Sequence, residues 1–67
     1  MDKFFKEKSE EVIKYRFENP QKAFEICRDI LKHGDEHNDW YEVAYAQLYM
    51  GDTLFSMGKI NEAIDHM

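Results

Sequence analysis

The chain has 67 residues, one cysteine, and fourteen acidic against nine basic residues, for a formal net charge of −5. So short a chain forms at most one small domain and buries only about 60% of the surface its unfolded form exposes, which leaves its core marginal without very good helix packing or a partner. A single cysteine excludes an intramolecular disulfide, an acidic balance without a Lys/Arg cluster works against duplex nucleic acid, and no uncharged run approaches the roughly 20 apolar residues of a membrane span. The opening MDKFFKEKSEE lacks the apolar run of a signal peptide, so a soluble, cytoplasmic protein is expected.

Helical spacing dominates and β-signals are missing, with no alternating run and no Asn-Gly or Asp-Gly hairpin. The spacing predicts a first helix over residues 2–17, with Phe4, Phe5, Val12 and Tyr15 on one stripe and charged residues around the rest. Asn19-Pro20 punctuates the chain: Asn is a preferred N-cap and Pro is favoured at the first helical position. A second helix over 20–33 follows, with Ala23, Cys27, Ile30 and Leu31 at i, i+4, i+7 and i+8. Cys27 sits on this apolar stripe and is expected to be a buried core thiol, not a nucleophile. Lys32 and His33 suit the negative end of the helix dipole, and Gly34 is expected to end the helix in a left-handed conformation.

Asp39 and Glu42, three residues apart, form the start of a third helix over 39–57 in the manner of a capping box. Trp40, Val43, Ala44, Met50 and Leu54 make one apolar face and Tyr41, Tyr45, Leu48 and Phe55 another, the pattern of an inner helix with two sets of neighbours. Gly58 is expected to close it, and Ile60, Ala63, Ile64 and Met67 begin a fourth helical pattern over 60–67. That pattern stops at the last residue, so a single domain cut from a longer array, or completed by a second copy, is expected.

The stretch KHGDEHNDW, residues 32–40, has the composition of a metal site. His33 and His37 stand four apart, which on a continuous helix puts both imidazoles on one face. A helix end at Gly34 would send them in unrelated directions, and no second Cys/His cluster completes a ligand set, so a solvated loop without a metal is expected. Ser9, Ser56 and Cys27 carry no catalytic motif, the pairs Glu10-Glu11 and Asp35-Glu36 have the character of solvated surface, and no Gly-rich phosphate loop occurs. Neither an enzyme nor a cofactor is expected.

Sliding the chain against itself by forty residues places Gln21-Lys22-Ala23-Phe24 on Asn61-Glu62-Ala63-Ile64, Cys27 on Met67, and Tyr15 on Phe55. Repeats at such periods belong to solenoid arrays. The segment AYAQLYMGDTLFSMGKINEAIDHM, residues 44–67, resembles a tetratricopeptide repeat, with Gly51, Gly58 and Ala63 at the family's spacing of seven and five. ENPQKAFEICRDIL, residues 18–31, resembles the turn and second helix of a preceding unit, with Ala23 in the small position. The leading helix departs from the pattern with Glu11 in place of glycine and Lys14 in place of an aromatic, as a solvated cap would, and the second unit has Gln47 where tryptophan is common and Leu54 instead of tyrosine. The usual repeat is about 34 residues, so the longer period places the extra residues at HGDEHND, as in long-linker arrays of bacterial signalling proteins.

The resemblance implies an all-α fold of antiparallel helix-turn-helix hairpins in a right-handed superhelix, about one and a half to two repeats long. Ala23, Cys27, Gly51, Leu54, Gly58 and Ala63 would pack the repeats together. The groove that takes peptide or protein segments would be lined by Lys8, Val12, Tyr15, Arg16, Tyr45, Leu48, Asp52, Phe55 and Ser56, aromatics and Arg being residue types that dominate binding hot spots. In this reading the chain is a non-catalytic interaction module. The alternative is a regulatory or sensor region of a bacterial signalling protein, such as a diguanylate cyclase or a peptide-responsive regulator. A competing expectation for Tyr45, Leu48 and Phe55 is that they pack against the first helix. Arrays want at least three repeats and polar caps, and open apolar ends self-associate, so a homodimer, or a higher closed oligomer, through the third helix and the C-terminal segment is expected.

Overall fold

The computed structural model describes the backbone of residues 3–65 and the side chains of residues 3–59. Three helices follow one another: α1 (Lys3–Tyr15), α2 (Pro20–Glu36) and α3 (Trp40–Asp65). The fold is all-α. α1 and α2 form a hairpin, α2 and α3 a second one, and α3 also reaches α1 through side chains, so that all three share one core.

The first two helices follow from their sequence. Phe5 and Val12 of α1 are buried, as are Ala23, Ile26, Cys27 and Ile30 of α2, while Phe4, Tyr15 and Leu31 lie at the margin of this cluster. Burying Phe5, Val12 or Ile30 contributes on the order of 1.5–3 kcal/mol each before chain entropy is subtracted. Asn19 caps α2 as its type predicts, its side-chain oxygen accepting from the Lys22 N–H at 3.2 Å with Pro20 at the first turn.

Gly34 does not end α2. The helix runs on to Glu36, and the left-handed residue is Asn38, with φ 54°. Asn adopts this conformation more readily than other side chains. Gly34 serves instead as a contact surface: a Cβ there would lie 2.9 Å from Glu42 Cβ and 3.1 Å from both the Asp39 carbonyl oxygen and the Val43 nitrogen. Its own carbonyl accepts the Asp39 N–H at 2.8 Å, tying the end of α2 to the start of α3. The expected capping box forms by half, since Asp39 Oδ1 accepts the Glu42 N–H at 3.3 Å while the Glu42 side chain turns to His33.

Gly58 does not end α3 either, and no turn separates a fourth helix: α3 continues without interruption to Asp65. Neither Gly51 nor Gly58 has any atom within 4 Å of the place a Cβ would take, so the close helix approach expected at Gly51 is absent among the described residues. The expected packing of Ala63 and the end of the helical pattern at Met67 lie outside the described side chains. The two faces expected of α3 are also rotated. Its buried residues are Glu42, Ala46 and Thr53, with Tyr45, Tyr49 and Met50 at the core margin. Trp40, Leu48, Leu54 and Phe55 are exposed. Glu42 and Thr53 can go inward because each has a partner: Thr53 Oγ1 donates to the Met50 carbonyl at 3.0 Å, and Glu42 receives a histidine.

The glycines therefore separate by environment. Gly34→Ala is expected to lower stability by about 1–3 kcal/mol, because overpacking against backbone atoms outweighs the better helix propensity of alanine. Gly51→Ala, in open space, should raise it by about 0.5–1 kcal/mol. Thermal unfolding followed by circular dichroism distinguishes the two signs.

Candidate interaction surface

The residues expected to line a groove divide into three groups. Val12 is fully buried and belongs to the core, so it offers nothing to a partner. Lys8, Tyr15, Arg16, Tyr45 and Asp52 are engaged within the chain. The Tyr45 ring meets Phe5 edge-on at 5.0 Å and Tyr49 at 4.6 Å, and its hydroxyl donates to the Ser9 carbonyl at 3.3 Å. Arg16 Nη2 lies 3.1 Å from Asp52 Oδ2, and the guanidinium stacks over Phe17 and Tyr49 at 4.6 and 5.2 Å. The two charges pair with each other instead of presenting a free cation to a ligand carboxylate, although Arg16 Nε and Asp52 Oδ2 make no hydrogen bond among the described residues. Lys22 covers the Tyr15 ring at 4.2 Å, and Lys8 stands 3.8 Å from Glu11.

Leu48 and Phe55 remain, 68% and 64% exposed, the Lys59 ammonium standing 4.7 Å over the Phe55 ring and Ser56 half-buried beside them. The competing expectation thus holds for Tyr45 and fails for Leu48 and Phe55. Around them Trp40, Tyr41 and Leu54 are also more than half exposed. One helix therefore carries five large apolar side chains turned to solvent, although buried and half-buried residues occupy its inner side. Exposed apolar side chains in this number make the outer side of α3 a candidate interaction surface. Of the expected packing positions, Ala23 and Cys27 are fully buried, whereas Leu54 is exposed.

A second surface was not anticipated. An open groove of about 1380 Å³ runs between α2 and α3, with Phe24, Leu31, Trp40, Val43 and Met50 as its apolar lining and Arg28, Asp29 and Lys32 along its rim. Its sequence signal lies in the flank pairs Phe24/Leu31 and Val43/Met50, each seven residues apart and thus on one side of their helix.

Because α2 passes through Gly34 as helix, His33 and His37 are brought together after all, their rings stacked at 4.2 Å. His33 also stacks on Phe4 at 4.3 Å and its Nδ1–H donates to Glu42 Oε2 at 3.1 Å, while His37 Nδ1–H donates to the His33 carbonyl at 2.8 Å. Glu42 is 2% exposed and its other oxygen, Oε1, has no hydrogen-bond partner among the described residues. Among the described residues no group of three or more His, Cys, Asp or Glu side chains is placed to hold a metal ion. Also among them, no helix is long and apolar enough to cross a membrane.

Burial pushes the Cys27 thiol up from 9.0 to about 11. Burial, reinforced by Tyr49, Cys27 and Tyr41 and opposed by Arg16, raises the Tyr45 phenol from 10.0 to about 12. Comparison with protein families, curated proteins and solved structures finds no match to this chain.

Two outcomes check this arrangement. His33→Ala should lower stability by about 1–3 kcal/mol by stranding the buried Glu42 carboxylate, and adding Glu42→Leu should recover most of that loss, as measured by urea denaturation. Between pH 9.0 and about 11 the folded Cys27 keeps its proton while the unfolded thiol releases it. The contribution is complete below pH 9.0 and is lost as the pH rises through about 11, approaching tenfold in the folding constant per pH unit from this group. A Cys27→Ala chain should show a shallower alkaline decline in a pH series of denaturation curves.

Proposed function

We propose that the chain is a non-catalytic protein-interaction module that acts through the outer face of α3, taking a peptide or protein segment or a second copy of itself. The observation that carries this reading is the row of exposed apolar side chains on α3, with Leu48, Phe55 and Trp40 each about two-thirds exposed. Three helices built from 67 residues leave little apolar surface to spare, and turning five large side chains outward forgoes roughly 1.5–3 kcal/mol of burial at each. A partner that covers them returns that free energy.

The tetratricopeptide-like superhelix is part of the same proposal. It is supported by the order of elements, with α3 joined to α2 through His33–Glu42 and to α1 and its end through Tyr45–Ser9 and Arg16–Asp52. The unbroken course of α3 through Gly58 counts against a second hairpin there. In this reading the aromatic side chains supply affinity, and the internally paired Arg16 and Asp52 hold α1 and α3 in register.

Phage-displayed peptides selected on the full chain, together with sedimentation equilibrium of the chain itself, test the reading. Phe55→Lys should weaken the selected peptide or the self-association at least tenfold and leave the unfolding midpoint within a few degrees, because Phe55 is 64% exposed. The proposal falls if neither kind of binding responds to Phe55 or Leu48.

A further inference from the structure

The outer residues of α3 are ordered as well as apolar. Tyr41, Ala44, Leu48, Gly51, Phe55 and Gly58 follow at alternating steps of three and four, and all six are exposed. Such steps place them on one stripe of the helix, the spacing of a coiled-coil seam. Along it large and small side chains alternate: Tyr41, Leu48 and Phe55 stand seven apart, and Ala44, Gly51 and Gly58 stand seven apart between them. The large residues are about two-thirds exposed, and at both glycines the space a Cβ would enter is open.

We infer that this stripe is self-complementary and docks antiparallel on the same stripe of a second copy, with Leu48 over the partner's Gly51, Phe55 over the partner's Ala44 and Tyr41 over the partner's Gly58. The inference rests on the proposed interaction face and names its occupant. An antiparallel pair brings large positions of one helix against small positions of the other, and one two-fold axis between residues 49 and 50 satisfies all three pairings at once. A parallel pair would set Leu48 against Leu48 and Gly51 against Gly51, leaving a gap at every small layer. The antiparallel arrangement is isologous and closed, so it ends at a dimer.

Charge and area agree with it. The six stripe residues carry no charge, and Lys59 is the sole basic residue of α3. The two-fold axis brings Lys59 level with the partner's turn, where Asp35, Glu36 and Asp39 follow one another, and it does so twice by symmetry. Asp52 falls beside the partner's Tyr45 and Gln47, both uncharged. Aromatic side chains bury about 150–250 Å² each, and those exposed here have roughly two-thirds of that to contribute. Two such stripes bury on the order of 1,000 Å² in total, the lower end of specific interfaces and the range of a reversible dimer.

Two measurements on the full 67-residue chain test the inference. In sedimentation equilibrium the chain is expected to form a monomer–dimer system that Gly51→Leu weakens at least tenfold. That variant fills the small site and keeps its helix, since nothing in the monomer lies within 4 Å of the new Cβ. Zero-length carbodiimide coupling of a mixture of ¹⁴N- and ¹⁵N-labelled chains should join Lys59 to Asp35, Glu36 or Asp39 between chains. Within one chain Asp39 stands about 30 Å from Lys59 along α3, and Asp35 and Glu36 lie at that same far end, on α2. A chain that stays monomeric, a dimer indifferent to Gly51→Leu, or a dimer whose cross-links join other residues overturns the inference. A monomer that binds selected peptides through Phe55 leaves the interaction module standing and removes only the second copy as its occupant.

Discussion

The structure depends on one close approach, where the start of α3 lies against Gly34 of α2. The missing Cβ lets the Glu42 side chain and the backbone at Asp39 and Val43 come within about the distance at which any other residue would collide. That contact fixes the rotation of α3 about its axis. With Glu42 inward, Ala46 and Thr53 follow on the buried line at four and eleven residues further on, and the opposite side of the helix is committed to solvent. His33 makes the arrangement tolerable by giving the buried carboxylate a hydrogen bond.

The hairpin of α1 and α2 was legible because its signals agree. One apolar stripe per helix, a capping asparagine and a proline at the first turn all point to the same register, and Phe5, Val12, Ala23, Cys27 and Ile30 are buried where the spacing puts them. α3 was not legible in the same way. It is apolar nearly all round, so periodicity alone does not choose its inner side, and the choice is made by Gly34 and His33, which belong to another helix. Glu42 and Thr53 would rank last as core residues by type, yet each has a hydrogen-bond partner, nine residues away for Glu42 and one turn back for Thr53.

Glycine type alone did not mark the helix ends. Gly34 and Gly58 were expected to terminate helices, and both lie within them. The terminating conformation fell to Asn38, a residue that also tolerates positive φ. Of the surface, the apolar character of the side of α3 with Leu48 and Phe55 was legible, although the sequence fits packing against α1 as well as exposure. The pairing of Arg16 with Asp52, residues 36 positions apart, was not, because no local pattern encodes an ion pair between helices.

The placement of Trp40 also determines how this protein can be observed. It is the chain's single tryptophan, it is 67% exposed, and it stands at the mouth of the groove between α2 and α3. An indole already bathed in water changes its emission little when the chain unfolds, so intrinsic fluorescence is nearly blind to the folding transition. The same indole is desolvated by anything that settles into that groove. The protein thus carries an optical reporter whose silence during denaturation makes it a clean signal for occupancy.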